Sequence, residues 1–390
     1  MSAILDKLLK GQKVEWKSLG QVSNLSRGRV MSKQYLTENI GDYPVYSSQT
    51  ANNGQIGKID SFDYDGEYVS WTTDGANAGT VFYRNGKFSI TNVCGLIKIK
   101  NISELNYKFL FYWLSTQAKH YVYSGMGNPK LMSNQIEKIP IPIPPFDVQA
   151  EIVRILDAFT AVTAELTAEL TAELNMREKQ YQYYRDKLLT FSDNEIIWKS
   201  LGDLVLPTQN IKWKETLSSY RYIDLSSVDK VNNNIGETLE ISSKNAPSRA
   251  QKIVKEADII FATTRPTQMR VAIIPKQFNE QIASTGYCIL RANQEEVIPK
   301  WIYYNLSLAR FKAYLEENQS GVAYPAISDG LVKEFMIPVP SLKEQKRIVE
   351  ILDKFETLTH SITEGLPKEI TLRKQQYEYY REQLLDFAKN

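Results

Sequence analysis

The sequence predicts an α+β protein in which two similar globular domains are joined by two long helices that form an intramolecular coiled coil. The stretch Ile141–Phe191 returns as Ile337–Phe387 at one constant offset. The phrase WKSLG around Trp16 is repeated around Trp198. Between these landmarks, short apolar runs bounded by turn residues mix with helical patterns. Because internal repeats define the organisation of a chain, the order is predicted to be globule, helix, globule, helix.

The two globules are predicted to share one mixed fold. Their sequences echo each other in the same order, with Thr72-Thr73 matched to Thr263-Thr264. A helix is expected near the end of each globule, over Tyr107–Gln117 and Lys300–Leu315. The predicted strands cover Tyr43–Tyr46, Thr80–Tyr83, Leu96–Ile99, Arg270–Ile274 and Cys288–Arg291.

Proline-rich runs are expected to end each globule, because proline cannot donate to a sheet ladder and disfavours helix just before it. These runs divide the chain into four predicted segments. They are residues 1–140 (the first globule), 141–191 (the first long helix), 192–336 (the second globule) and 337–390 (the second long helix).

Both copies of the repeated stretch have the periodicity of a long amphipathic helix. Apolar residues fall at steps of three or four from Ile152 to Leu188, and again from Ile348 to Leu384. A helix of roughly 40 residues is about 60 Å long, which is too long for one small domain to cover its apolar face. That face therefore needs another partner, and the other copy is the nearest candidate. Proline costs roughly 3 kcal/mol inside a helix, so the second copy is expected to break or kink near Pro367.

The first long helix contains three consecutive TAEL repeats between Thr163 and Leu174. The predicted spacer residues in this array and its counterpart are Leu166, Leu170, Leu174, Ile362, Leu366 and Ile370. One repeat lengthens a helix by about 6 Å and turns it about 40° beyond a full turn. Since a base pair of B-DNA rises about 3.4 Å, one repeat could set a separation of roughly one or two base pairs. The alternative is a helical filler, because Ala, Glu and Leu all favour helix.

Composition narrows the classes of function. The 390 residues include 47 Lys and Arg against 45 Asp and Glu, so any polyanion site must be a local patch. Two cysteines and two histidines argue against a disulfide framework, a zinc site or a haem. The sequence contains no phosphate-binding glycine loop, HExxH or GxSxG, so no cofactor or catalytic site is expected in this chain. It also lacks a signal peptide and a membrane span, so a cytoplasmic location is expected.

The loops of the globules combine basic, amide and hydroxyl side chains of the kinds that bind DNA. Arg and Lys suit guanine, Asn and Gln suit adenine, and hydroxyls suit phosphates. The predicted contacts of the first globule are Arg27, Arg29, Ser47, Ser48, Gln49, Thr72, Thr73, Asn77, Asn128 and Lys130. Those of the second are Arg249, Thr264, Arg265, Gln268, Arg270, Tyr287 and Tyr324. For any single residue the alternative is an ordinary solvated loop.

Aromatic residues near the end of each long helix cannot all face one helix–helix seam. The set predicted to contact a partner protein is Tyr183, Tyr184 and Arg185, with the counterparts Tyr379, Tyr380 and Arg381. The alternatives are packing of the tyrosines against the globules and a solvated helix face for the arginines.

In combination, these motifs resemble the specificity subunit of a type I restriction–modification enzyme. The resemblance is carried by WKSLG (twice), by IPIPP…QxEIVRILDxF with its copy IPVP…EQKRIVEILDxF, by the TAEL array, and by QYxYYRxxLLxF (twice). It covers nearly the whole chain and is greatest for the subgroup whose spacer contains TAEL repeats.

The resemblance implies two target-recognition domains, each recognising one half of a bipartite, asymmetric double-stranded DNA target in the major groove. It also implies that the spacer helices are antiparallel and related by a pseudo-two-fold axis. Two modification subunits, which hold S-adenosylmethionine, would bind this chain, together with restriction subunits that use ATP and Mg²⁺. All catalysis would then lie in the partner subunits, in agreement with the lack of catalytic motifs in the sequence.

Two other classes of function are alternatives to this one. A coiled-coil scaffold or adaptor, whose globules bind proteins or small molecules, would not recognise DNA. A self-sufficient methyltransferase would need a cofactor loop, which the sequence lacks.

Overall fold

The computed structural model describes residues 2–125, 127–192, 196–229, 233–361 and 364–388. It divides into two compact units, one of Met1–Thr167 with Leu372–Asn390 and the other of Ala168–Thr371. Each unit contains one globule and parts of both long helices. The division between units passes through the helices, whereas the four predicted segments follow chain order, so those segment boundaries stay a prediction.

The first globule is built on a six-stranded sheet. Its elements are α1 (Ala3–Leu9), β1 (Glu15–Ser18), α2 (Leu19–Val22), β2 (Ser23–Arg27), α3 (Lys33–Glu38), β3 (Ile40–Tyr46), β4 (Gln55–Ile59), β5 (Tyr64–Thr72), β6 (Val81–Ile90), β7 (Cys94–Ile99), α4 (Tyr107–Gln117), α5 (Ser133–Ile136) and β8 (Pro140–Ile143). The strand order is β2-β7-β5-β6-β3-β4, and only β3 and β6 pair in parallel. The three strands and the helix predicted here are confirmed.

The core of the first unit combines the sheet with pieces of both ends of the chain. Trp71 on β5 and Phe109 on α4 are fully buried, and Leu5 of α1 joins the same cluster. Phe387, near the C-terminus, packs edge-on against Trp113 with ring centroids 5.9 Å apart. The N-terminal helix and the last turn of the chain are therefore integral to this unit.

The second globule repeats part of this organisation, with shorter strands and with its strands divided between two sheets. After the first long helix α6 (Phe146–Leu188), its elements are β9 (Trp198–Ser200), α7 (Leu201–Leu204), β10 (Val205–Leu206), β11 (Tyr220–Ile223), β12 (Leu239–Ile241), β13 (Ala250–Ile253), β14 (Ile259–Ala262), β15 (Val271–Ile273), β16 (Ile282–Ser284), β17 (Tyr287–Ala292), α8 (Pro299–Leu306), α9 (Ala309–Asn318), α10 (Asp329–Glu334) and β18 (Met336–Pro338). Two four-stranded sheets form, in the orders β10-β17-β14-β15 and β12-β11-β16-β13.

Two expectations about this region are corrected. The predicted helix over Lys300–Leu315 is two helices. The Ser307 hydroxyl donates to the carbonyl of Tyr304, and Leu308 has an extended backbone, so the helix is interrupted there. Such a local serine bond competes with the helical pattern. The proline runs do not stop the sheets either, since β8 pairs with β1 and β18 pairs with β9 in short two-stranded ladders. Proline is tolerated there because these ladders are edges.

The long helices begin after the proline runs. α6 is continuous for 43 residues, whereas the second copy is divided into α11 (Leu342–His360) and α12 (Gly365–Leu384), as Pro367 predicts. Gly365 begins α12 with φ +74°, a conformation that favours glycine.

The helices pair in antiparallel fashion, which confirms the coiled coil. In the first unit, Phe159 of α6 stacks on Tyr380 of α12 with centroids 5.3 Å apart. In the second unit, Phe355 of α11 stacks on Tyr184 of α6 at 5.8 Å. Phe355 is the repeat counterpart of Phe159, and Tyr184 is that of Tyr380. One contact is thus made twice with the two copies exchanged, the pattern that antiparallel pairing of repeats produces.

The middle of the first long helix buries little apolar surface. Between residues 162 and 180 of α6 every side chain is half-buried or exposed, and Val162 is 59% exposed despite its place in the predicted apolar stripe. Leucines spaced by four drift around the helix, so three of them cannot all remain on one seam. The spacer residues Leu166, Leu170, Leu174, Leu366 and Ile370 are half-buried, and Ile362 lies outside the described residues.

A duplicated polar contact fastens each globule to the helix that follows it. The fully buried Gln149 of α6 accepts from the backbone N–H of Asn106 at 2.9 Å and donates to the carbonyls of Glu104 and Pro144. Its counterpart Gln345 makes the same three bonds to Ile298, Glu296 and Pro340. Since unpaired buried backbone groups cost roughly 1–3 kcal/mol each, both glutamines hold the helix at a fixed place on its globule.

A second duplicated contact lies further along each helix. Asp157 of α6 accepts from Tyr112 at 2.7 Å and from Lys108 at 2.5 Å. Asp353 of α11 accepts from Tyr304 at 2.5 Å and pairs with Lys300 at 2.7 Å. The repeat therefore preserves within this one chain not only the apolar periodicity but also the polar bonds that orient globule on helix.

Candidate nucleic-acid interface

In the first globule, the end of β2, the loop after β5 and the segment before α5 come together. Arg27 lies 3.5 Å from the carboxylate of Asp74, and Asp74 forms a β-bridge with Lys130. The backbone N–H of Gly75 donates to the carbonyl of Pro129 at 3.0 Å. Arg27, Asn77, Asn128 and Lys130 are all exposed. The structure thus collects four of the predicted DNA contacts on one rim of the sheet.

A second group of predicted contacts lies around the turn between β6 and β7. The guanidinium of Arg29 pairs with Asp63 at 3.1 Å and donates to the hydroxyl of Tyr35 at 3.0 Å. These bonds, the Tyr35 bond first, raise the pKa of Arg29. Arg29 also forms a β-bridge with Thr91, whose hydroxyl donates to Ser47 at 2.9 Å. Ser48 is half-buried and Gln49 is exposed on the loop that follows Ser47.

In the second globule, the loop after β14 presents Arg265 and Gln268 to solvent. Arg265 has φ +51°, a left-handed conformation that is uncommon for a residue with a Cβ. Its guanidinium lies 5.3 Å from the ring centroid of Tyr324, which is 72% exposed. Arginine and tyrosine together offer a cation–π pair at the surface, with the guanidinium edge free to donate.

The two loops are built on the same backbone bonds. Thr73 and Thr263 accept from the N–H groups of Leu131 and Ile327, each at 2.9 Å. Gly75 donates to Pro129 at 3.0 Å, and Arg265 donates to Pro325 at 2.7 Å. Both donors have positive φ. Equivalent backbone positions therefore carry Asp74 and Gly75 in the first globule and Thr264 and Arg265 in the second.

This correspondence corrects the predicted match of the two Thr-Thr steps by one residue. Thr73, rather than Thr72, is the counterpart of Thr263, because the strand ladders place Trp71 opposite Val81 and Phe261 opposite Val271. A one-residue shift exchanges the two faces of a strand. A side chain matched in the wrong register is thus assigned to the wrong face.

Three predicted contacts are buried, and a fourth is half-buried. Thr72 and Thr73 are fully buried, and their hydroxyls bond to the carbonyl of Asn77 and to Asp74. Tyr287 is fully buried and donates to the carbonyl of Asp224, and burial raises the pKa of its hydroxyl. Arg270 is half-buried because its guanidinium turns back to the carbonyl of Leu225. Because they are buried, Thr72, Thr73 and Tyr287 support the loops from within and do not present a surface to DNA. As DNA contacts, these four residues stay predictions.

The remaining predicted contacts differ in exposure. Thr264 is half-buried and forms a β-bridge with Ala326, while Arg249 is exposed and its carbonyl accepts from the N–H of Thr285. As candidate contacts these residues stay predictions.

Several residues of this surface were missed from the sequence. Asp74 pairs with Arg27 and Asp63 pairs with Arg29, and the sequence gave no signal for either pair. Asn52 and Asn53, both with positive φ, form the loop beside Gln49. The run Asn52-Asn53-Gly54 is a recognisable turn signal, so the shape of this loop could have been anticipated.

The predicted partner surface is only partly available. Tyr183 and Tyr379 are 60% and 57% exposed. Tyr184 and Tyr380 stack within the helix pairs of the coiled coil. Arg185 and Arg381 lie over the rings of Tyr181 and Tyr377, at 5.8 and 5.7 Å. The exposed tyrosines are therefore the stronger candidates for contact with another protein.

Two other kinds of site are absent from the described parts of the chain. No group of three or more His, Cys, Asp or Glu is placed there to hold a metal ion. No helix there is long and apolar enough to cross a membrane.

Two related globules, each packed on long helices and each carrying polar loops at equivalent positions, form a chain with two similar domains. The sequence profile described as "Type I restriction modification DNA specificity domain" matches the chain twice, over residues 12–176 and 198–372. The chain belongs to this family. It is a DNA-recognition subunit without catalytic activity of its own, and the scaffold and methyltransferase alternatives are set aside.

Two bacterial relatives agree with the profile. The chain is 33% identical over 416 aligned positions to the EcoR124I/EcoR124II specificity subunit of Escherichia coli, covering 99% of this chain and 97% of that one. It is 36% identical to a protein described as a type I restriction enzyme specificity subunit of Haemophilus influenzae, covering 98% of both. A crystal structure of the HsdS subunit from Thermoanaerobacter tengcongensis matches 50% of this chain and 47% of its own, with 30% identity and a TM-score of 0.41.

Specificity subunits of type I complexes assemble with modification and restriction subunits and bind DNA.

Proposed function

We propose that this chain recognises a bipartite, asymmetric DNA target, with each globule recognising one half. The observation that carries the proposal is the pair of equivalent loops with different side chains. The same backbone bonds hold Asp74 and Gly75 in one globule, and Thr264 and Arg265 in the other. Two copies of one fold with different reading residues would bind two different half-sites.

The residues that would contact DNA, all exposed except the half-buried Ser48, form one group in each globule. Arg27, Asn77, Asn128 and Lys130 would serve one half-site, with Arg29, Ser48 and Gln49 beside them. Arg265 and Gln268 would serve the other, supported by Tyr324 and Arg249. Arginine donates two hydrogen bonds to guanine, and glutamine pairs with adenine. The second group is therefore suited to a half-site that contains both guanine and adenine.

The duplicated contacts within the two units support the docking of two identical partners, one on each unit. Gln149 and Gln345 fix each globule on its helix by the same bonds, so any surface spanning globule and helix exists in two copies. Tyr183 and Tyr379 lie on such equivalent faces. Two modification subunits would dock there, and restriction subunits would join the complex.

The partner subunits would supply the chemistry. S-adenosylmethionine would be held by the modification subunits, and ATP with Mg²⁺ by the restriction subunits. The long helices would set the unread gap between the half-sites, with the TAEL array of α6 determining its length.

Native mass spectrometry of the complex tests the partner arrangement. We expect one copy of this chain with two modification subunits, because each docking surface is present twice. The double variant Tyr183→Ala and Tyr379→Ala should release both subunits, and Tyr379→Ala alone should leave a complex with one. Gln182→Ala, an exposed substitution on α6, serves as the control. A wild-type complex with a single modification subunit would contradict the arrangement.

A further inference from the structure

An arginine lies buried beneath one of the candidate DNA loops of the first globule. Arg84, on β6, is 2% exposed. Its guanidinium lies 3.6 Å from the ring centroid of Tyr46 and 4.5 Å from that of Phe82. No carboxylate lies within ion-pair distance of it in the described part of the chain. Burial lowers the pKa of Arg84, as expected for a charge taken out of water without an opposite charge beside it.

The guanidinium bonds to two parts of the globule. Its Nε donates to the hydroxyl of Ser70 at 3.0 Å, and its Nη1 donates to the carbonyl of Asn53 at 2.8 Å. Asn53 is an exposed residue of the loop between β3 and β4. The charged group therefore ties the sheet to a surface loop from below.

The loop it holds has an uncommon backbone. Asn52, Asn53 and Gly54 follow one another with φ of 49°, 52° and 81°. Three consecutive left-handed residues are strained unless the surroundings hold them. A Cβ on Gly54 would lie 3.1 Å from Nη2 of Arg84, so the loop closes tightly over the guanidinium. The carbonyl of Gly54 also accepts from the N–H of Ser47 at 2.9 Å.

The fold itself does not require an arginine at this position. The strand ladders pair Trp71 with Val81 and Phe261 with Val271, so Arg84 corresponds to Ile274 in the second globule. Ile274 is 1% exposed, within an all-apolar cluster. The second globule thus builds the same strand with an ordinary hydrophobic residue. Burying a guanidinium costs free energy. Of these two equivalent positions, only that of the first globule holds a guanidinium, and there it contacts the loop after β3.

We propose that Arg84 is a positioning residue for DNA recognition by the first globule, holding the loop of residues 47–55 in the conformation that presents Ser48 and Gln49. This inference rests on the proposed function, because it assigns the loop to one half-site. Arg84 touches no DNA. It acts through its bond to the carbonyl of Asn53 and through its contact with the ring of Tyr46.

The test uses the complex of the full chain with its modification subunits and two duplex libraries, each randomised in one half-site. The variants are Arg84→Met, which removes every donor, and Arg84→Lys, which retains the charge. Ile274→Met is the matched control at the equivalent position of the second globule. Methylation of each library member gives the selectivity at every base pair.

For Arg84→Met we expect about a tenfold loss of discrimination within one half-site, in the range of one misread base pair, and less than about a twofold change in the other. Arg84→Lys should restore part of the selectivity, since one donor can still reach Asn53. Ile274→Met should leave the half-site of the first globule unchanged. A uniform loss of methylation, or unchanged selectivity at both half-sites, would overturn the proposal, since a merely structural role lowers all targets together.

A second variant keeps the test decisive if Arg84→Met does not fold. Gly54→Ala strains the same loop where it closes over the guanidinium, without altering β6, and it should relax the same half-site. If Gly54→Ala leaves that half-site unchanged, the proposal is overturned. A wild-type complex that methylates no bipartite motif would instead overturn the proposed function, and this inference with it.

Discussion

Replacing Arg265 by alanine is expected to weaken discrimination in one half-site by about 10- to 100-fold and to leave the other half-site unchanged. A bidentate arginine–guanine contact is worth roughly 1–3 kcal/mol of discrimination. Arg265 is exposed, and its position is fixed by the bond of its N–H to Pro325 and by the ring of Tyr324. Methylation of a library randomised in each half-site measures the effect.

The first globule supplies the control for this prediction. Gly75 occupies the position of Arg265 with the same sign of φ, so Arg265→Gly relieves the strain of a left-handed Cβ while removing the side chain. Arg265→Gly should therefore be at least as stable to heat as Arg265→Ala and equally relaxed in recognition. If Arg265→Gly retained wild-type selectivity, or if either variant weakened both half-sites equally, Arg265 would not be a reading residue.

Deleting Thr167–Leu170 should shift the preferred gap by roughly one or two base pairs without changing either half-site. The deletion shortens α6 by about 6 Å and turns the rest of the helix by about 40°. It removes no buried side chain, because residues 162–180 are all half-buried or exposed. Targets with the original gap should lose methylation by on the order of 100-fold, since misplacing two or more base pairs costs roughly 1–3 kcal/mol each.

Insertion of a fourth TAEL repeat is the matched counterpart, and it should lengthen the gap by the same amount. Replacing Thr167–Leu170 with four alanines keeps the helix length and should keep the gap, because alanine has the greatest helix propensity. Altered half-sites in the deletion variant would show that α6 does more than separate the globules. An unchanged gap would show that its length is not what sets the separation.

The repeat made most of the fold predictable. The stretch around Ile155 recurs around Ile351 at one constant offset, which predicts two equivalent helices. The apolar residues at steps of three or four predict that these helices pair. The matched glutamines Gln149 and Gln345 were also visible at that offset. Their meaning was not, because only the fold shows which backbone groups they satisfy.

The candidate site was less predictable for a physical reason. Loop composition indicates DNA binding but does not show which way a side chain points. Arg265 and Arg270 lie five positions apart in one run, yet one faces solvent and the other bonds to Leu225. Arg84 gave no signal at all, because its role depends on the loop that folds over it.

The most direct test of two-site recognition is to sequence DNA modifications in a host that carries this chain with its modification subunit, and in the same host lacking the chain. We expect an adenine-methylated motif of two specified halves around an unspecified gap, present only with the chain. An undivided motif would contradict recognition by two separate globules. No chain-dependent methylation, with the modification subunit shown to be active, would contradict the proposed function as a whole.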